Sequence, residues 1–60
     1  MYNVNDRVQI MNHAEPQCNG QYGVIKSIQP GYDGYTMFYM VELDDTLQYC
    51  TCIEDELMEE

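Results

Sequence analysis

The sequence predicts a small all-β domain, an antiparallel barrel of four or five short strands. Three observations lead to this fold class: apolar and polar residues alternate in several short segments, turn residues separate those segments, and 60 residues suffice for one domain, residues 1–60. Closing a bent sheet into a barrel removes the strand edges that promote aggregation. A chain this short buries only about 60% of its unfolded surface, which leaves little room for a catalytic pocket.

The first half of the chain predicts two strands separated by a long loop. The first strand, residues 6–11, places Val8 and Ile10 on one face. Residues 12–21 are polar and too numerous for a tight hairpin, so they predict an excursion loop. The second strand, residues 22–28, does not alternate cleanly, and an irregular strand beside a glycine is typical of a β-bulge or sharp bend.

The next segments predict two further strands. Turn residues at 30–34 lead into a third strand, residues 35–43, and a turn at 44–46 leads into a fourth strand, residues 47–52. Alternation turns the third strand's Tyr, Val and Leu toward the core and its Phe and Met outward. The cysteines of the fourth strand are expected to lie across from this outward face.

The C-terminal residues indicate a short helical element. Thr51 and Glu54 match a capping box, which predicts one helical or 3₁₀ turn around residues 53–57. Leu57 and Met58 are then expected to form a brief closing strand. The predicted core consists of Val4, Val8, Ile10, Val24, Ile25, Ile28, Tyr39, Val41, Leu43, Leu47 and Leu57.

Four sequence segments, taken in order, resemble small SH3-like barrels, including KOW-type domains. Residues 4–10 resemble the φ-G-D-R-V-x-I opening of these barrels, and residues 20–28 look like the KOW segment, a glycine followed by V-φ-x-x-φ. Residues 39–45 are similar to the Y-x-V-x-L-D-D-G hairpin, and residues 54–57 resemble the closing 3₁₀ turn and last strand. Asn5 and Thr46 stand at turn positions where the family favours glycine.

The resemblance implies a fold, but the charge does not suit the family's usual ligand. KOW-type domains usually contact RNA, or the nucleic-acid complex of a basic protein, through Lys and Arg. This chain has only Arg7 and Lys26, and its net charge is −9. Because neutralisation of phosphates supplies nearly all non-specific nucleic-acid affinity, we expect no direct binding of nucleic acid.

The negative charge is concentrated near the C-terminus. Residues 1–41 carry three acidic and two basic side chains, a net charge of −1, whereas residues 42–60 carry eight acidic and no basic side chains, a net charge of −8. Such a field repels phosphates and attracts basic surfaces. It also serves solubility, which is the alternative interpretation.

These features predict a non-enzymatic binding protein that docks on a basic surface of a nucleic-acid-binding protein and acts as a nucleic-acid mimic or inhibitor. The composition resembles that of small acidic inhibitor proteins encoded by phages and mobile elements against host defence. An SH3-like interaction module or accessory subunit that binds through an apolar strand patch is the alternative. The predicted partner-binding residues are Glu42, Asp44, Asp45, Glu54, Asp55 and Glu56, with Phe38 and Met40 as apolar anchors.

The three cysteines permit a second alternative, a small zinc-stabilised domain. An odd number of cysteines without a signal-peptide pattern argues against disulfides and favours the reducing cytoplasm. One histidine and three cysteines are a legitimate structural zinc set, although Cys-x-Cys spacing is tighter than usual. The candidate ligands are His13, Cys18, Cys50 and Cys52. Otherwise the sequence predicts no cofactor.

The sequence predicts neither catalytic residues nor a membrane span. A reactive cysteine needs an electropositive environment, and this chain offers the opposite. Paired carboxylates act in acid–base catalysis only where their environments separate their pKa values, which exposed acidic runs do not provide. No apolar run approaches the roughly 18 residues of a membrane-spanning helix.

Overall fold

The computed structural model describes all 60 residues, which form five antiparallel strands and one 3₁₀ turn. The all-β prediction is confirmed, and the short turn lies between the last two strands as expected. No helix in the structure has the length and apolar character needed to cross a membrane. The elements are β1 (Arg7–Ile10), β2 (Tyr22–Pro30), β3 (Met37–Leu43), β4 (Tyr49–Cys52), the 3₁₀ turn (Glu54–Glu56) and β5 (Leu57–Glu59).

The strands form one sheet in the order β4-β3-β2-β1-β5. The first four strands pair with their neighbours in the chain, whereas β5 returns to pair antiparallel with β1. This return brings the C-terminal residues beside the first strand. It also carries the acidic 3₁₀ turn past the end of β3. This turn therefore lies against β3, one strand of the long β2–β3 hairpin.

The irregularity predicted for the second strand is a β-bulge. The register between β2 and β3 shifts between Ile25 and Ser27, which leaves Lys26 as the extra residue. Because a bulge interrupts the two-residue alternation, Ile25 and Ile28 both pack on the core despite their odd spacing. The bulge also bends β2, as a small curved sheet requires.

The core lies on one face of the curved sheet. The confirmed members of the predicted core are Val8, Ile10, Ile25, Tyr39, Val41, Leu43 and Leu57. Ile28 is half-buried against them, and Val24 lies half-buried on the opposite face of the sheet. The remaining buried side chains are Cys18, Cys50 and Cys52, which the predicted core lacked.

The prediction was wrong for Val4 and Leu47, which are 47% and 65% exposed. Leu47 has a φ of 59°, and its N–H donates to the carbonyl of Leu43, so this residue completes a turn instead of starting a strand. Val4 precedes Asn5, whose φ of 78° marks a second turn. The fourth strand is therefore two residues shorter than predicted.

The cysteines of β4 face the core and not the outer surface. Cys50 lies opposite Val41 and Cys52 opposite Tyr39, and all four side chains are buried. The expectation that these cysteines lie across from the outward Phe and Met of β3 was therefore wrong. Cross-strand partners share one face of a sheet, so the register of the β3–β4 hairpin fixes this orientation.

Candidate functional site

The outer face of β3 carries three predicted binding residues. Phe38, Met40 and Glu42 alternate with buried residues and are themselves half-buried; we refer to these three side chains as the outer strip. Thr51 of β4 lies opposite Met40 and donates from Oγ1 to the methionine Sδ at 3.2 Å. Tyr49, which is 56% exposed, lies opposite Glu42 and adds an aromatic ring to the strip.

The predicted acidic residues do not form one cluster. Asp44 and Asp45 lie in the turn after β3, whereas Glu54 and Asp55 line a shallow depression with residues 35–37 at the other end of this strand. A seven-residue strand is about 20 Å long at 3.3 Å per residue. The carboxylates therefore lie near both ends of β3, and the depression that Glu54 and Asp55 line includes Met37, which packs against the core.

Both basic side chains are neutralised by acidic neighbours. Arg7 Nη2 lies 2.6 Å from Asp44 Oδ2, and Arg7 Nε lies 3.0 Å from Glu60 Oε1. Lys26 Nζ lies 3.8 Å from Glu42 Oε1. The hydrogen bonds from Arg7 hold the pKa of the Asp44 carboxyl below its usual range.

Glu54 Oε2 lies 3.5 Å from the N-terminal ammonium of Met1, and the other seven of the eleven acidic side chains have no basic group within 4.0 Å. They include Asp45 and Asp55, which lie near opposite ends of β3. Because both basic side chains are already paired and the net charge is −9, the long-range field of the protein is that of an anion. The seven residues are Asp6, Glu15, Asp33, Asp45, Asp55, Glu56 and Glu59.

The ion pair between Arg7 and Asp44 predicts a pH-dependent contribution to stability. The folded-state pKa of Asp44 is lowered, so the contribution is present above its unfolded pKa of about 3.9 and is lost as pH falls through the folded value. We expect Asp44→Asn to melt at a lower temperature than wild type at neutral pH. The two melting temperatures should converge as pH falls through the lowered folded-state pKa of Asp44, because the wild-type carboxyl is then also uncharged.

The matched control for this prediction is Asp45→Asn. It removes one negative charge from the same turn but breaks no ion pair with a basic side chain. Thermal melts followed by circular dichroism across the pH range compare the two variants. Equal melting temperatures of Asp44→Asn and Asp45→Asn at neutral pH would contradict a stabilising contribution from the ion pair between Arg7 and Asp44.

Two of the four cysteine and histidine ligands proposed for zinc are joined by a disulfide. Cys18 and Cys50 are bonded, with their Cα atoms 6.2 Å apart, within the range that disulfides require. The prediction of a disulfide-free chain was therefore wrong, as was the predicted set of four zinc ligands. The odd count misled because the third cysteine, Cys52, is a free thiol buried in the core.

The structure instead groups His13 with Cys52 and Glu56. One potential ligand atom from each side chain lies within 4.8 Å of those of the other two. The sequence did not indicate Glu56 as a neighbour of His13, because the two residues are 43 positions apart in the chain. Burial is the main cause that raises the pKa of the Cys52 thiol to about 12, and the negative charge of Glu56 is the second cause. The thiol is therefore protonated at neutral pH.

Glu56 also has a structural role that the sequence assigned to other residues. Its Oε1 accepts the N–H of Ile53 at 2.9 Å, which closes the start of the 3₁₀ turn. The predicted capping pair was Thr51 and Glu54, two residues earlier. The turn begins later than expected because β4 extends through Cys52.

Comparisons of the chain with protein-family models, curated proteins and solved structures found no match.

Proposed function

We propose that this chain is a non-enzymatic acidic binding protein that docks on a basic surface of a nucleic-acid-binding protein and inhibits it by taking the place of nucleic acid. The observation that carries the proposal is the arrangement of charges along β3. Both basic side chains of the protein are held in ion pairs, while carboxylates without a basic partner lie at both ends of β3. Such a surface is complementary to Lys and Arg side chains that bind phosphates.

The spacing of the carboxylates supports this proposal. The two acidic ends of β3 are about 20 Å apart, which corresponds to roughly six base-pair steps of 3.4 Å along the axis of a duplex. A basic groove that follows a phosphate backbone presents cations over such a distance. The rigid hairpin of β3 and β4 fixes the separation of the acidic ends, so they need little reordering on binding.

The outer strip supplies the contacts expected to hold the complex. Aromatic residues and methionine are enriched in protein interfaces, and such side chains account for most of the affinity when they become buried. Phe38, which lies beside Gly31 of the turn after β2, and Met40 are half-buried, and the ring of Tyr49 is exposed. Charges would therefore accelerate encounter, while these side chains slow dissociation.

We also propose membership of the SH3-like, KOW-type barrels. The strand order and the 3₁₀ turn before the last strand support it, as does Gly23, where a Cβ atom would overlap the carbonyl of Glu42. A cytoplasmic location, and a phage or mobile-element origin, belong to the same proposal and rest on composition. A reducing cytoplasm opposes the disulfide, so redox state becomes a determinant of stability there.

Two variants distinguish this proposal from an SH3-like module that binds through an apolar patch. Asp45→Asn combined with Asp55→Asn removes one unpaired charge from each end of β3. We expect this double variant to slow association with the basic partner by about tenfold at low salt. Phe38→Ala should chiefly accelerate dissociation, because it removes an anchor without changing charge. Surface plasmon resonance with a captured nucleic-acid-binding protein measures both rates.

The matched control is Asp6→Asn combined with Glu59→Gln. It removes the same number of charges near β1 and β5, on the side of the sheet away from β4. This control should associate almost as fast as wild type. If Phe38→Ala abolishes binding while the Asp45 and Asp55 substitutions leave both rates unchanged, the apolar-patch alternative replaces the proposal.

A further inference from the structure

We propose that His13, Cys52 and Glu56 form a zinc-binding site that fastens the long loop to the sheet. The three residues come from three parts of the fold: the loop after β1, the end of β4 and the 3₁₀ turn. Their potential ligand atoms nevertheless lie within 4.8 Å of one another. Imidazole, thiolate and carboxylate are all ligands that Zn²⁺ accepts.

The separation of the ligand atoms is close to that of a zinc site. Zinc bonds of about 2.0–2.3 Å place tetrahedral ligands about 3.3–3.7 Å apart. The three atoms therefore have to approach by at most about 1.5 Å, which small rotations of the half-buried His13 and Glu56 side chains can supply. Cys52 is fixed in the core and supplies the stationary ligand.

Hydrogen bonds already orient His13 toward this cluster. Its backbone N–H donates to Asn19 Oδ1 at 3.2 Å, and its Nδ1 accepts the N–H of Glu15 at 3.0 Å. Its Nε2 lies 2.9 Å from the carbonyl oxygen of Thr51, the residue before Cys52. Metal binding would replace one of the two ring hydrogen bonds, while the backbone bond to Asn19 would remain.

The Glu56 carboxylate can bind an ion and still stabilise the 3₁₀ turn. One of its oxygens accepts the Ile53 N–H, which leaves the second oxygen available. The Cys52 thiol gives up its proton to solvent on metal binding, because the thiolate is the ligand. The two charges of Zn²⁺ then balance the thiolate and the carboxylate, with water in the fourth position.

The proposed site and the disulfide connect the same parts of the protein. The Cys18–Cys50 bond joins the long loop to β4, and zinc would join this loop to β4 through His13 and Cys52. The metal would therefore preserve the connection when the disulfide is reduced. This inference is independent of the proposed binding function.

Cobalt and zinc titrations of the full-length protein test the site. The disulfide is kept intact, which a count of one free thiol verifies. We expect Co²⁺ to produce a thiolate-to-cobalt charge-transfer absorption that Zn²⁺ then abolishes. Glu56→Gln should weaken the affinity for Co²⁺ by at least about tenfold. The amide oxygen of that variant can still accept the Ile53 N–H, so the turn is retained.

Glu54→Gln is the matched control, because it removes one charge from the same turn outside the ligand set and should leave the affinity unchanged. Absence of the charge-transfer absorption would overturn the proposal. Equal affinities of Glu56→Gln and Glu54→Gln would also overturn it. If binding requires reduction and is lost in Cys18→Ser, the ligands are the thiols of the disulfide, and the proposed set is wrong.

Discussion

Reduction of the Cys18–Cys50 disulfide is expected to lower the free energy of unfolding by about 4 kcal/mol, because the bond closes a loop with a sequence separation of 32 residues. Domains have a total stability of about 0.05–0.15 kcal/mol per residue, or roughly 3–9 kcal/mol at this length. The reduced protein should therefore lie close to its unfolding threshold at room temperature. Urea unfolding with and without a reductant, both with a metal chelator present, measures the difference.

The double substitution Cys18→Ala and Cys50→Ala provides the control. It should have the low stability of the reduced protein, and the reductant should not change its urea midpoint. The cysteine that remains, Cys52, is already a free thiol and gives no redox response of this kind. Identical wild-type midpoints in oxidising and reducing buffer would contradict a stabilising disulfide.

The second large effect is expected in the salt dependence of association. The Debye length falls from about 30 Å at 0.01 M salt to about 3 Å at 1 M, so the acidic ends of β3 act over long distances only at low salt. We expect the association rate with a basic partner to fall by about a hundredfold across this range. The dissociation rate should change much less, because the apolar side chains of the outer strip determine it.

Stopped-flow or surface plasmon resonance experiments at five or more salt concentrations give both rates. The double variant of Asp45 and Asp55 should show a shallower dependence of the association rate on salt than wild type. The Phe38→Ala variant should show the wild-type dependence, since its charge is unchanged. An association rate that does not vary with salt would mean that the negative surface serves solubility alone.

The sequence predicted the parts of the fold that depend on local pattern. Alternation of Tyr39, Val41 and Leu43 correctly assigned the inner face of β3, and the adjacent Val24 and Ile25 correctly predicted a bulge. In both cases the prediction depends on the alternation of side chains between the two faces of a strand, which is a short-range property of the backbone. A few neighbouring residues are therefore sufficient to reveal it.

The sequence failed where a single backbone angle or a distant contact decides the outcome. Leu47 fits the alternation of a strand, but its positive φ places it in a turn. The disulfide, and the approach of Glu56 to His13, require that the long loop folds back over β4. No local pattern encodes such closure, so the candidate metal ligands could be identified only from the structure.

The acidic surface was predicted in composition but not in arrangement. The sequence placed eight acidic residues in the last 19 positions and suggested one continuous face. The structure separates Asp44 and Asp45 from Glu54 and Asp55 by the length of β3, and turns Glu56 toward the histidine. The difference arises because the β3–β4 hairpin carries the chain back along its own length between these two acidic segments.

Competition with a labelled nucleic acid is the most direct test of whether the protein takes the place of nucleic acid on its partner. A nucleic-acid-binding protein is first captured on the immobilised chain at low salt and eluted by a salt gradient. It is then bound to a fluorescent DNA or RNA, and the free chain is added. We predict that the chain displaces the labelled nucleic acid from the protein. The fluorescence anisotropy should then fall to the value of free nucleic acid in proportion to the amount of chain bound. A ternary complex that keeps its nucleic acid at saturating chain would contradict inhibition by replacement of nucleic acid.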